Sequence, residues 1–168
     1  DTFSDAGFEK HRKKTRKEQF LEEMEKIIPW PELTQVIEPY YPKPEGAGRR
    51  PVGVERMLRI HFIQHWFNLS DPGAEEALYD SRALRQFVGI DLGREPVPDE
   101  TTICKFRHLM EKHNLGDELF RLVNQYLQES GLKVSRGTIV DATIIGAPSS
   151  TKNKKKERDP DMSSTRKG

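Results

Sequence analysis

Cysteine is nearly missing from this sequence: Cys104 is the only one in 168 residues. A single thiol makes neither an internal disulfide nor a cysteine-built zinc site, and it fits a reducing compartment, the cytoplasm. Long apolar runs are missing as well. None reaches the about 18 residues that a membrane span needs, and no secretory leader is expected. Net charge is small, with 28 Lys and Arg against 27 Asp and Glu, so the total singles out no class of partner. Hydrophobic residues, at 34%, barely outnumber charged ones, at 33%, which implies a modest core and some segments left in water. Internal repeats are absent. The chain opens at Asp1 without Met and closes in a basic run, which reads as a piece of a longer protein.

What is present is a series of helical patterns with uneven charge. Residues 10–17 hold Lys10, Arg12, Lys13, Lys14, Arg16 and Lys17, six fixed positive charges in eight positions. A basic arm of this kind binds nucleic-acid phosphate, although a solvated lead-in to a helix reads the same. Phe20, Leu21, Met24, Ile27 and Ile28 then recur at helical spacing, predicting a helix over 15–28 that Pro29 ends. A short helix starts at Pro31, presents Leu33, Val36 and Ile37, and stops at Pro39. Residues 40–51, rich in Pro and Gly, are a loop made basic by Arg49 and Arg50.

From 54 to 69, Met57, Leu58, Ile60, Phe62, Ile63, Trp66 and Phe67 cover more than half the helical circumference, as expected of a buried central helix. His61 and His65 stand one turn apart on it, the spacing of a two-histidine metal pair. No Glu follows His61 and no third ligand lies near, so packed or surface histidines are expected. Ser70 and Asp71 mark a new start with Pro72. A short helix over 74–80 and a second over 82–88, capped by Ser81 and ended by Gly89, follow. Asp99 caps a third helix running to about 113, with Ile103, Phe106, Leu109 and Met110 on its apolar face. Thr101, Lys105, His108 and Lys112 form a stripe opposite, with Thr102 in the first turn and Arg107 beside the stripe. Short helices ending in one with a polar, basic stripe look like a helix-turn-helix, suited to phosphate and base-edge contact; a surface helix of an ordinary bundle has the same pattern. Leu115, Leu119, Leu122, Val123, Tyr126 and Leu127 predict one more amphipathic helix, closed by Gly131.

The run 138–145 differs in kind. Five of its eight residues are apolar, two are Thr, and Asp141 stands in the middle. Introduced by Gly137 and followed by Pro148, it reads as a strand buried on both faces. A carboxylate there needs a cation, a metal or a hydrogen-bond donor, unless the strand is an edge and Asp141 faces water. Beyond it, Lys152, Lys154, Lys155 and Lys156 lead a basic stretch without apolar periodicity, expected to be a disordered tail.

Several long stretches then resemble one family in the right order. Arg56-Met57-Leu58-Arg59-Ile60-His61, Gln64-His65-Trp66-Phe67-Asn68-Leu69-Ser70-Asp71 and Asp99-Glu100-Thr101-Thr102-Ile103 with Phe106-Arg107-His108-Leu109 are similar to bacterial insertion-sequence transposases of the insertion sequence five family. Residues 137–145, 147–154 and 158–160 continue the match, so it covers essentially the whole chain. Gly146 departs from it, since close relatives often carry Glu there.

The resemblance implies a mainly α chain: a helical bundle with a helix-turn-helix-like segment, then the first strand of a truncated ribonuclease-H-like α/β domain and a basic tail. The expected division is an arm over 1–14, a helical DNA-binding domain over 15–131 and the start of the catalytic domain over 132–168. It also implies an Asp, Asp, Glu triad with Asp141 as first Asp and magnesium ligand, and strand cleavage and joining by two metal ions. The other two carboxylates would lie beyond Gly168, so this stretch alone is expected to be inactive and to hold no magnesium. Expected partners are double-stranded DNA, as element ends and target, with a homo-oligomer left open, no membrane, and a nucleoid-associated place in the cytoplasm. A non-catalytic DNA-binding protein, a truncated transposase acting as repressor or inhibitor, is the alternative, and a plain helical interaction module the third.

Overall fold

A computed structural model describes residues 12–129. Seven α-helices fill them: α1 (Arg16–Ile27), α2 (Trp30–Ile37), α3 (Val54–Phe67), α4 (Asp71–Asp80), α5 (Arg82–Val88), α6 (Glu100–Lys112) and α7 (Leu115–Glu129), with a 3-10 turn at Glu38–Tyr40. No strand occurs among the described residues, and they are mainly helical as expected. The expected strand over 138–145, the end of α7 near Gly131, the far part of the arm and the basic tail lie outside them.

Local chemistry sets most helix ends. Thr15 and Glu18 form a capping box at the start of α1: each side chain meets the other residue's backbone N–H, satisfying two donors the helix leaves open. Ser70, Ser81 and Asp99 cap α4, α5 and α6, accepting from the N–H of Gly73, Leu84 and Thr102. Gly89 ends α5 at φ 80°, a left-handed conformation that costs glycine nothing. Helix α4 begins at Asp71, earlier than the 74–80 expected from apolar spacing. The early start follows from the Ser70 cap, and Pro72 fits the first turn because its missing N–H has no helical partner to lose.

Helix α3 is the axis of the bundle. Met57, Leu58, Ile60, Phe62, Ile63 and Trp66 are buried on it, and α2, α4, α5 and α6 all pack against it. Helix α7 closes one side against α2 and α6, while α1 lies on α5. Full burial of each such aliphatic side chain contributes about 1.5–3 kcal/mol. Trp30, Phe62, Trp66 and Phe87 form an edge-to-face and tilted aromatic cluster with centroids 5.2 to 5.7 Å apart.

Arg59 is a cation inside this core, only 9% exposed. Its guanidinium lies over the Trp30 ring at 4.3 Å and the Phe87 ring at 5.1 Å. It donates to Glu55 on α3, to Glu25 on α1 and, at 2.9 Å, to the Phe87 carbonyl of α5. Every N–H direction of the fork that points inward thus meets an acceptor, which is what makes a buried charge tolerable. The residue ties three helices at one point.

Candidate nucleic-acid interface

The surface around α6 is built from its apolar side outward. Ile103, Phe106 and Met110 are buried against the core, which turns Thr101, Lys105, His108 and Lys112 to solvent as their spacing predicts. Thr102 is half-buried instead, its backbone N–H given to the Asp99 carboxylate at 2.8 Å. The first turn of the helix is acidic. Asp99 caps it, Glu100 follows, and Glu75 of α4 accepts from the Glu100 N–H at 2.7 Å. These carboxylates occupy the amides and the positive dipole end that a phosphate would otherwise use. Positive charge therefore gathers from Lys105 to Lys112, in the C-terminal two-thirds of the stripe.

The basic loop joins this surface through two tyrosines. Tyr41 donates its hydroxyl proton to the Val52 carbonyl, closing the loop on itself, and its ring meets Phe106 of α6 edge-on at 6.1 Å. Tyr40 lies against His113, just past the end of α6, at 4.3 Å. The loop is thereby fastened to α6 along that helix, with Arg49 and Arg50 exposed. The Asp99 carboxyl is held below its usual range first by its hydrogen bonds to Thr102 and also by the nearby charges of Arg49 and Lys105. Arg49 from the loop and Lys105 from the helix thus act on one carboxylate, although 56 positions separate them in sequence. Sequence reading missed this junction. Its only signal was the adjacent Tyr40-Tyr41 pair, which carries no periodicity.

Arg107, beside the stripe, is partly buried. It does not stand free beside it: the guanidinium turns into the start of α4 and donates to Asp71 at 2.9 and 3.3 Å, and to Glu111 at 2.9 Å. Gln64 of α3 donates to the same Asp71 carboxylate at 2.9 Å. The Asp71 carboxyl is accordingly held low, above all by the Arg107 hydrogen bond. Residues 64, 71 and 107 lock α3, α4 and α6 together, and Arg107 serves the fold first.

Two histidines sit beside that lock. His61 and His65 place their Nε2 atoms 3.1 Å apart, and the His61 ring meets Phe106 edge-on at 5.9 Å. The Nδ1 atom of His61 is shut off from solvent with no hydrogen-bond partner. Were both Nε2 atoms metal ligands, His61 would carry its proton on that orphaned Nδ1, where a metal-bound imidazole normally has an acceptor. His61 is packed against Phe106, and His65 is exposed. Burial pushes the pKa of His61 down to about 3, with the charges of His65 and Arg107 adding to the fall and Asp71 opposing it.

At the arm, Arg12, Lys13, Lys14, Arg16 and Lys17 are exposed. Arg12 pairs with Glu18, Lys14 pairs with Glu22 at 2.6 Å, and the Lys17 ammonium lies 5.0 Å from the Phe67 ring centre. Lys10, Lys152, Lys154, Lys155, Lys156 and Asp141 lie outside the described residues. Among the described residues no three His, Cys, Asp or Glu side chains converge as a metal site, and no helix is long and apolar enough to cross a membrane.

The described residues thus form a helical unit whose basic loop is fastened to α6. The family described as Transposase domain (DUF772) matches residues 9–109, more than half of the sequence, and the chain belongs to it. That match takes in the arm's root, the basic loop and α6 as far as Leu109. No solved structure matches the chain.

Proposed function

We propose that this transposase-family chain binds duplex DNA, at the ends of a mobile element, through the face made by α6 and the 41–53 loop. The observation that carries the proposal is the fastening of the loop to α6 by Tyr40 on His113 and Tyr41 on Phe106, which ties exposed Arg49 and Arg50 to the helix that bears exposed Lys105 and Lys112. Exposed cations on a rigid helix and a fastened loop suit phosphate contacts, which set register and orientation on a duplex. The α4–α6 segment is helix-turn-helix-like in this reading. It differs from the simple motif, because α5 and α6 are separated by the eleven residues 89–99, against a turn of about 3–4 residues. The arm and the tail would add phosphate contacts. Fluorescence anisotropy with labelled duplex tests this directly. Arg49→Ala and Lys105→Ala should each weaken binding about 3- to 10-fold, similarly for all duplex sequences, as phosphate contacts do. Binding that ignored both changes would sink the reading.

We further propose that the protein is a cut-and-join enzyme of the insertion sequence five type, with Asp141 among its catalytic carboxylates. Family membership and the apolar run around Asp141 support this. A lone carboxylate does not assemble a two-metal centre, so the remaining acids would come from elsewhere in the enzyme. Asp141→Asn, made in the gene product as encoded, should abolish cleavage of an end-labelled element terminus and leave duplex binding intact. A normal cleavage rate in that variant would remove Asp141 from the mechanism. The non-catalytic repressor reading would instead show binding without cleavage in the unaltered protein.

A further inference from the structure

A groove of about 700 Å³ opens between α1, α3 and α5, on elements other than those that form the proposed DNA face. Leu21 and Phe87 give it an apolar floor, and Glu18, Glu22, Glu25 and Glu55 line its walls. Glu25 and Glu55 are held by Arg59. The other two carboxylates face the chain's own arm: Arg12 and Lys14 also line the groove, pairing with Glu18 and Glu22. Two of the cations that would contact phosphate are thus seated against carboxylates.

We propose that this groove is the seat of the chain's own basic arm, and that duplex DNA competes with the groove for it. The inference rests on the DNA-binding reading above. Its occupant is identified by the two ion pairs, by charge complementarity and by continuity, since the arm enters α1 at the groove's edge. DNA captures the arm only after Arg12 and Lys14 leave Glu18 and Glu22, so the acidic wall lowers apparent affinity. The exposed Lys14–Glu22 pair sets a small size for the effect, about two- to fivefold.

Two measurements on the whole chain test it. The first is the rate at which an amine-acylating reagent labels Lys14 relative to Lys13 without DNA. Lys14 should label more slowly than its neighbour, and Glu22→Gln should bring the two rates together. An unchanged ratio in that variant would overturn the docking. The second is duplex affinity. Glu22→Gln should tighten binding about two- to fivefold more than Glu23→Gln, which removes the same charge from an exposed position on the same helix. This advantage should vanish in a Lys14→Gln background. Equal effects of the two Glu changes, or an advantage that survives Lys14→Gln, would overturn the competition. If the unaltered chain binds no duplex at all, the DNA reading and the competition fall together, while the labelling ratio still decides the docking.

Discussion

His61 shows how one side chain couples packing to pH. Its ring is wedged between α3 and α6, with His65, Arg107 and Asp71 as the charged or titratable groups acting on it. Its folded pKa, about 3, lies below the ordinary value of 6.5, so the unfolded chain takes up a proton first as pH falls. The stability it contributes is fully present above about pH 6.5 and is lost progressively as pH drops toward 3. Thermal unfolding followed by circular dichroism should therefore show a loss of about 1–2 kcal/mol between pH 7 and pH 5, and His61→Phe should flatten that slope. Asp71, also held low, adds its loss only at more acid pH, as its own carboxyl protonates. A slope that His61→Phe leaves intact would assign the acid sensitivity to other groups.

Helix α6 carries two kinds of cation, and their difference is visible only against the neighbouring helices. Lys105 and Lys112 point outward, whereas Arg107, which lies between them in sequence, is held by Asp71 and Glu111. Lys112→Ala should weaken duplex binding with stability unchanged within about 0.5 kcal/mol, as for surface changes generally. Arg107→Ala should lower stability measurably more than Lys112→Ala does, because Asp71 loses its main donor. Calorimetry and anisotropy on the same preparations separate the two effects. A stability loss for Lys112→Ala equal to that for Arg107→Ala would mean the stripe is part of the core packing. The apolar spacing at Ile103, Phe106 and Met110 was enough to find this helix and its outer face. It could not show that Arg107 has a partner 36 positions away.

At the scale of the whole molecule, a net charge of +1 hides an uneven distribution: exposed cations on α6 and the loop, and a groove between α1, α3 and α5 where Glu18, Glu22, Glu25 and Glu55 meet Arg12, Lys14 and Arg59. Duplex affinity should fall linearly in log–log form as salt rises, with a slope of about 0.9 per phosphate contact. Arg49→Ala with Arg50→Ala should reduce that slope by nearly two contacts if both reach phosphate. Titrations across a range of potassium chloride concentrations measure it, and a slope unchanged by the double substitution would detach the loop from the interface.

The sequence by itself determined the helices, because capping and apolar spacing act over three or four residues. Thr15 with Glu18, Ser81 with Gly89, and Asp99 ahead of Ile103 each needed only their neighbours. It also made α3 the buried axis, since a helix that is apolar around most of its circumference has to be surrounded. The transposase-domain family was legible too, from long motifs in order. Tertiary structure alone decided what the charged groups do. Arg59 reads as one more cation on a helix until Glu25, 34 positions away, and the Phe87 carbonyl, 28 positions away, close on it inside an aromatic cluster. Arg49 and Lys105 become one surface only when Tyr40 and Tyr41 fasten the loop to α6. A charge acts through distance and dielectric, which the folded chain sets and which order along the sequence does not encode.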